Sequence, residues 1–233
     1  MLRLKCLGSS SYGNCLILTC GDDKLILDLG VSWSEILSGL DYDLTNVCGC
    51  LVSHCHQDHS KSIPKALYYC LDVYSCKEVT DKYDGVVELK PKEIVKVGNF
   101  MILPLRVNHD VENYAYLIYH KDLGRLVYAV DCIEFNYNLP SINHWLIEAN
   151  YDEAIVFEKI FDDDYRASKS ENHLSLSQTY EVLSRNLNDE TKNVVLLHLS
   201  DNNSNSENFL NTVKQLSKDI RVYVAERGMD IEL

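Results

Sequence analysis

The chain has 233 residues, is 46 % hydrophobic, and sets 22 Lys and Arg against 35 Asp and Glu, for a formal charge of −13. That apolar content suffices for one sizeable core, so a single domain over 1–233 is expected. The acidic balance argues against a broad surface coating a long polyanion, since such affinity comes from Lys and Arg on phosphates; it leaves open a phosphate ester held at a metal ion, which reverses the local field.

In chain order, "LRLKCLG" and "NCLILTC" read as strands joined by the Gly/Ser-rich turn "GSSSYG", and "DDKLILDLG" as a third. Ser32 followed by Glu35 is a capping box that predicts a helix from Trp33. The apolar run "VCGCLV" is a buried strand. Ser60 is expected to cap a helix through "KSIPKALYYC", with Pro64 in its first turn. Short β-branched and aromatic runs follow: "LDVYSC", "GVVELK", "FMILPLRV", "YAYLIY" and "RLVYAV". "DEAIVFEKIF" predicts a helix and "DDDYRASKSEN" a polar loop, with Lys159, Arg166 and Lys169 as a basic lip. Ser175 with Gln178 and Ser204 with Glu207 predict two more capped helices, around the strand "NVVLLHL", and "IRVYVAE" is expected to close the chain as a strand. No internal repeat or low-complexity linker is visible. Two mixed sheets packed face to face with helices outside would bury this pattern, an α/β architecture.

Nine cysteines lie at 6, 15, 20, 48, 50, 55, 70, 76 and 132, with no C-x-x-C pair. Many sit in apolar runs, where a free Cys behaves as a small hydrophobe, so reduced thiols are expected. No run of about 18 apolar residues offers a membrane span. "MLRLKCLGSS" lacks the long apolar segment of a secretion signal, so a cytoplasmic protein with no membrane partner is expected.

Three of the eight histidines crowd into "SHCHQDHS", Ser53–Ser60. In an extended segment His54 and His56 face one side and can meet one metal; the turn into the following helix can aim Asp58 and His59 at a second. His109, Asp131 and His198 each end a predicted strand, and His173 precedes the helix capped at Ser175. A lone histidine at a strand end is more often a hydrogen-bonded structural residue, but H-x-H-x-D-H assembles four nitrogen and oxygen donors at spacings that chance rarely supplies. His120 reads as a surface turn and His144 as part of an irregular stretch.

These residues resemble the signature of the metallo-β-lactamase fold, and within it the YycJ/WalJ-like group with its related phage and prophage proteins. The matching stretches include "LGSSSYGNC", "LILDLG", "GCLVSHCHQDHSKSI", "LVYAVDC", "LIEANYDEAI" and "VVLLHLSDNNSNSENF". The resemblance implies a four-layer αββα sandwich. It implies a two-metal site in which His54, His56 and His109 hold one ion, Asp58, His59 and His198 the other, and Asp131 bridges. Asp58 and His173 would be catalytic, His173 facing the scissile phosphate. Cys132 stands where relatives usually carry Thr, which puts one supporting contact in doubt, and the proline that often follows the equivalent of His109 is missing.

A nitrogen and carboxylate donor set without thiolate suits two Zn²⁺ or Mn²⁺ ions. Such a pair lowers the pKa of a shared water toward ~7. His173 is placed to protonate the leaving oxygen, and free N–H groups at the helix start by Ser175 would favour a phosphate. Ser10 and Asn14 in the first turn, Ser175, and Ser200 in "HLSD" are the substrate-contact candidates; Tyr114 and Tyr116 are candidates for stacking on a base.

The expected function is a metal-dependent phosphodiesterase acting on nucleic acid, as a WalJ-like exonuclease, or on a nucleotide. A phage-type cyclic nucleotide phosphodiesterase that degrades host immune signals is the alternative. Thioester, lactone or β-lactam hydrolysis at the same site ranks lower, and a non-catalytic binding module lower still, since all seven ligands are present. Members of the group often dimerise, so a homodimer is an assembly to test.

Overall fold

The computed structural model describes residues 1–159 and 172–233. The expected polar loop, with Arg166 and Lys169 of the basic lip, lies outside the described residues; Lys159 is described, and its ammonium bonds the Asn202 carbonyl and, at 3.2 Å, Asn203 Oδ1.

The first half of the chain runs β1 (Leu2–Ser10), β2 (Gly13–Cys20), β3 (Asp23–Leu27), α1 (Trp33–Gly39), β4 (Val47–Leu51), α2 (Gln57–Ser60), α3 (Ile63–Tyr68), β5 (Val73–Ser75), α4 (Lys77–Lys82) and β6 (Val87–Glu88). The second runs β7 (Val95–Val97), β8 (Phe100–Val107), β9 (Asn113–His120), β10 (Gly124–Ala129), β11 (His144–Glu148), α5 (Glu153–Lys159), α6 (Leu176–Asn186), β12 (Asn193–Leu197), α7 (Ser206–Lys214), β13 (Arg221–Val224) and β14 (Asp230–Glu232). The strands form two sheets, ordered β14-β1-β2-β3-β4-β5-β6 and β13-β12-β11-β10-β9-β8-β7.

Both sheets follow one plan. From β14 to β3 neighbours are antiparallel, and from β3 to β6 parallel. From β7 to β10 neighbours are antiparallel, and from β10 to β13 parallel. The repetition lies in the pairing and leaves no repeat in the sequence.

The layers follow from the two-residue period of strands. In the second sheet Tyr116, Ile118, Leu126, Tyr128, Leu146 and Val195 face the first sheet's core. Their neighbours Ala115, Val127, Ala129, Trp145, Ile147 and Val194 face outward onto Leu183 of α6 and Phe209 and Val213 of α7. On the first sheet Ile36 of α1, Ile63 and Ala66 of α3 and Val79 of α4 complete the inner cluster. The result is the αββα sandwich expected from the sequence.

Several local expectations change. Ser60 lies inside α2, whose N-cap position is His56, while α3 starts after Ser62, with Pro64 in its first turn; the Ser62 hydroxyl makes no cap bond and donates to the Val31 carbonyl at 2.6 Å. The predicted boxes at Ser32/Glu35 and Ser175/Gln178 form. At α7 the cap is Asn205, whose side chain accepts from Asn208 N at 2.9 Å, because the Ser204 hydroxyl donates instead to the Ser200 carbonyl. His144 opens the buried strand β11, and His120 ends β9 with its ring buried, so neither sits in irregular or surface structure. The chain closes with β14, beyond the strand expected to end it. All nine cysteines are free. Among the described residues no helix is long and apolar enough to cross a membrane.

Candidate metal centre

The parallel strands deliver the site, because their carboxyl ends all open on one edge of the sandwich. Asp28 follows β3, His54 follows β4, Asp131 follows β10, Glu148 ends β11 and His198 follows β12. Asp28, Asp131 and His198 leave their strands at φ of 61°, 52° and 55°. Left-handed backbone costs a side-chain-bearing residue roughly 1–2 kcal/mol. Three such residues on one edge aim side chains that the strand direction alone would not aim.

Among the described residues three groups of donor atoms form, each with all members within 4.8 Å of one another; one of them, Asp131, Glu148, His173 and His198, is held by the hydrogen bonds of Glu148 described below, and the other two carry the expected ligands. The first of these two is His54, His56, His109 and Asp131; the second is Asp58, His59, Asp131 and His198. In the first, His54 Nε2 lies 3.0 Å from His56 Nδ1, which lies 3.4 Å from His109 Nε2, and His54 Nε2 is 3.5 Å from Asp131 Oδ2. In the second, His59 Nε2 is 3.0 Å from Asp131 Oδ2 and 3.4 Å from Asp58 Oδ2, which is 3.9 Å from His198 Nε2. Nitrogen and oxygen donors bound about 2.0–2.1 Å from one tetrahedral ion sit roughly 3.3–3.4 Å apart, so the spacing suits metal ligands. Asp131 Oδ1 and His198 Nε2 are buried without a hydrogen-bond partner. Asp131 Oδ1 stands 3.5 Å from both His173 Nδ1 and His198 Nδ1, beyond hydrogen-bond geometry. A buried carboxylate oxygen without a hydrogen bond is costly, and a bound cation removes that cost. The structure therefore brings all seven expected ligands together, and their donor set fits two divalent cations.

Supporting groups fix the rings. Buried Asp28 accepts from His59 Nδ1 at 2.6 Å, from Ser53 N at 2.7 Å and from the Tyr128 hydroxyl at 2.5 Å. That bond holds the His59 proton on Nδ1 and leaves Nε2 to ligate. Ser53 Oγ lies 3.0 Å from His54 Nδ1, and the Asn172 carbonyl 3.2 Å from His109 Nδ1. Gly30 passes so close to the helix bearing Asp58 that an added Cβ would stand 1.6 Å from the Asp58 carbonyl oxygen. A side chain there would push the ligand helix away.

Buried Glu148 organises the last part of the site. Oε1 accepts from His173 Nδ1 at 2.6 Å, and Oε2 accepts from the N–H groups of Cys132 and Leu174 at 2.9 and 3.3 Å. The Cys132 side chain takes no part in these bonds; its Sγ donates to the Val130 carbonyl at 3.4 Å. His173 stacks on His198, ring centroids 5.2 Å apart. Burial opposes charging His173, but the Glu148 and Asp131 carboxylates outweigh it and push its pKa up to about 10. Burial, reinforced by His59, pulls His54 well below its ordinary value. Burial also disfavours the Asp58 carboxylate, but His198 and His59 hold its pKa well below the usual range.

Asp28 and Glu148 were not singled out from the sequence. The available signal was a carboxylate ending an otherwise apolar strand, "KLILD" and "HWLIE". Such a group is buried only with partners.

The other expected contacts divide. Asn14 is buried among the ligands, its amide nitrogen 2.9 Å from His59 Nε2 and 3.5 Å from Asp58 Oδ2. Ser10 and Ser200 line a cavity beside the second donor group. Ser175 is not brought to the site: it is buried, and its hydroxyl serves the α6 cap and Glu153. At the start of α6 the N–H groups of Ser175, Leu176 and Gln178 are already taken, by Gln178 Oε1, the Tyr151 carbonyl and Ser175 Oγ. Tyr114 and Tyr116 are buried where β9 faces the inner core, and Tyr116 donates to the Val52 carbonyl at 2.6 Å, so neither can stack on a base.

Residues 5–80 match the family model described as anti-Pycsar protein Apyc1. The exodeoxyribonuclease WalJ of Streptococcus pneumoniae is 27 % identical over 93 % of this chain and 91 % of its own length. Among solved structures, the metallo-β-lactamase-fold protein YhfI of Bacillus subtilis aligns over 100 % of this chain and 99 % of its own, with a TM-score of 0.76 and 17 % identity. The short form of human tRNase Z aligns over 99 % and 98 %, with a TM-score of 0.69 and 16 % identity.

Proposed function

We propose, from the premise that this chain is a metallo-β-lactamase-fold protein related to the WalJ exonuclease, that it is a metal-dependent phosphodiesterase with a two-ion site acting on nucleic acid or nucleotides. One observation carries the reading: seven donor side chains form two groups joined through Asp131, whose buried Oδ1 has no hydrogen-bond partner. His54, His56 and His109 would hold one ion, Asp58, His59 and His198 the other, with Asp131 shared. Zn²⁺ and Mn²⁺ both suit these donors. Divalent ions bound there supply Lewis acidity toward a phosphoryl oxygen and a hydroxide at neutral pH.

The chain's own residues do the rest. Asp28 and Ser53 hold His59 and His54 in ligating orientation. Glu148 keeps the His173 proton on Nδ1 and the ring charged, which leaves Nε2–H to donate to the leaving oxygen. His173 is only 17 % exposed, so that donor acts where water is scarce.

A second reading, hydrolysis of a cyclic nucleotide, is favoured by the match of residues 5–80, which include the H-x-H-x-D-H segment, to the Apyc1 model. One substrate panel tests both. Protein with Mn²⁺ or Zn²⁺ is given bis-p-nitrophenyl phosphate, cyclic mononucleotides, end-labelled duplex DNA, single-stranded RNA and a thioester, beside an Asp58→Ala control. Cleavage of the phosphodiesters, lost in the control, is the expected result. Cyclic nucleotides cleaved without DNA would select the second reading, and thioester cleavage alone would overturn both.

A further inference from the structure

A cavity of about 500 Å³ opens between the β1–β2 turn, the start of α1 and the segment after His198. Small-molecule sites span about 300–1,000 Å³. Its walls are continuous with the metal centre. The Ser9 hydroxyl in its wall accepts the His198 N–H at 2.9 Å, and Ser200 follows His198 by two residues. Lys61, directly after α2 with its ligands Asp58 and His59, also lines it.

The lining is chemically divided. Val31, Val224 and Ala225 give an apolar surface. Tyr12, 83 % exposed at the tip of the β1–β2 turn, presents a ring. Arg227 is neutralised by its ion pair with Glu35, whereas the Lys61 ammonium makes no ion pair among the described residues. Asp201 and Glu226 also line the cavity. Carboxylates repel further phosphates but accept hydrogen bonds from the amino groups of bases. One free cation next to the ligand helix, an apolar floor, an aromatic rim and acceptor carboxylates together suit a single nucleoside carrying one phosphate at its inner end.

We propose that this cavity is the nucleoside subsite: it takes one terminal or free nucleotide unit, with Lys61 on the phosphate leading to the metal centre and Tyr12 against the base. The inference rests on the phosphodiesterase reading and narrows it to strand ends and small nucleotides. A strand interior would have to pass its continuing phosphates over Asp201 and Glu226.

The test separates the two claims. Adenosine 5′-monophosphate is titrated calorimetrically into wild-type protein with Mn²⁺ and into Lys61→Ala, Tyr12→Ala and Lys65→Ala. In parallel, wild-type turnover of bis-p-nitrophenyl phosphate is measured. Lys61→Ala and Tyr12→Ala should each raise Kd roughly tenfold, for loss of one charge-assisted contact and one stacked base. Lys65→Ala, outside the cavity, should leave Kd unchanged. Equal binding by all four proteins overturns the subsite whether or not the wild type turns over the ester. A wild type that binds the nucleotide through Lys61 and Tyr12 but never cleaves the ester overturns the phosphodiesterase reading and leaves the subsite standing. Competition identifies the source. Displacement by a cyclic mononucleotide alone assigns the cavity to free nucleotides, displacement by a 5′-phosphorylated oligodeoxynucleotide alone assigns it to strand ends, and displacement by neither overturns it.

Discussion

At one edge of the sandwich six histidines converge on a shared set of carboxylates; at the opposite edge His120 and His144 are buried as deeply as His54, His59 and His198 and stay apart. The two edges share strands. β9 runs from Asn113 at the metal edge to His120, and β11 from His144 to Glu148 at the metal edge. At the far edge each ring meets one polar partner of its own: His120 Nε2 lies 3.2 Å from Asp23 Oδ2, and His144 Nδ1 lies 2.8 Å from the Asn193 amide nitrogen, while His144 Nε2 is buried with no hydrogen-bond partner among the described residues. At the metal edge donor atoms outnumber protons, and Asp131 Oδ1 is left without a hydrogen bond. Burial of a histidine therefore says little about its role. A ligand is recognised by several donors meeting with too few hydrogens between them.

Asp131 should show the contrast at its largest. Asp131→Ala removes the donor common to both groups, so bound metal should fall from two ions per chain to one or none. Phosphodiester turnover should fall by about 10³-fold or more, at the upper end of losses seen when a charge-stabilising group is removed. His120→Asn, at the far edge, should keep both ions and full turnover. Elemental analysis of the two purified variants decides the matter: equal metal content would mean that Asp131 does not hold the metal.

The supporting carboxylates should give intermediate effects, since groups that orient ligands are typically worth 10- to 100-fold. Glu148→Gln should lower turnover by about that factor with two ions still bound. It should also move the alkaline limb of the pH–rate profile. In wild type the charged His173 is lost as pH rises through its raised pKa; without the carboxylate that raises it, the loss begins at lower pH. An unshifted limb would reduce Glu148 to a structural role. Asp28→Asn should weaken metal affinity about tenfold through His59, read by chelator competition. Unchanged affinity would mean that the Asp28–His59 bond does not set the ligand's orientation.

These carboxylates also mark where the sequence stops being legible. His54, His56, Asp58 and His59 share one turn of chain, so their spacing alone assembles most of two donor groups. His109, Asp131 and His198 could be read because strands end at them. Asp28 acts on a ring 31 positions away and Glu148 on one 25 positions away, and nothing local marks either pairing. Sheet order was hidden for the same reason: the antiparallel-then-parallel plan of both sheets exists only in the pairing. β11 is not legible because its five residues "HWLIE" are all buried and show no alternation, as in strands covered on both faces. The substitution of Asn205 for Ser204 at the α7 cap was a contest between adjacent polar side chains, decided when Ser204 found the Ser200 carbonyl.

The far edge yields the smallest effect, and it concerns stability. His144 is buried, and burial together with Lys192 lowers its pKa from 6.5 to about 4. The folded chain therefore sheds a proton that the unfolded chain keeps between those values. The contribution of the neutral ring is complete above about pH 6.5 and declines as pH falls toward 4. At pH 5 the deficit is about 2 kcal/mol, from roughly 1.4 kcal/mol per pH unit over about one and a half units. His144→Gln removes the titrating group, so its loss of unfolding free energy between pH 7 and pH 5 should be about 2 kcal/mol smaller than that of wild type. Urea titrations at the two pH values measure the difference with metal chelated in both proteins, which keeps the ligand histidines out of the comparison. Equal losses would mean that the His144 ring gains a proton in the folded state, and that the far edge tolerates charge as the metal edge does.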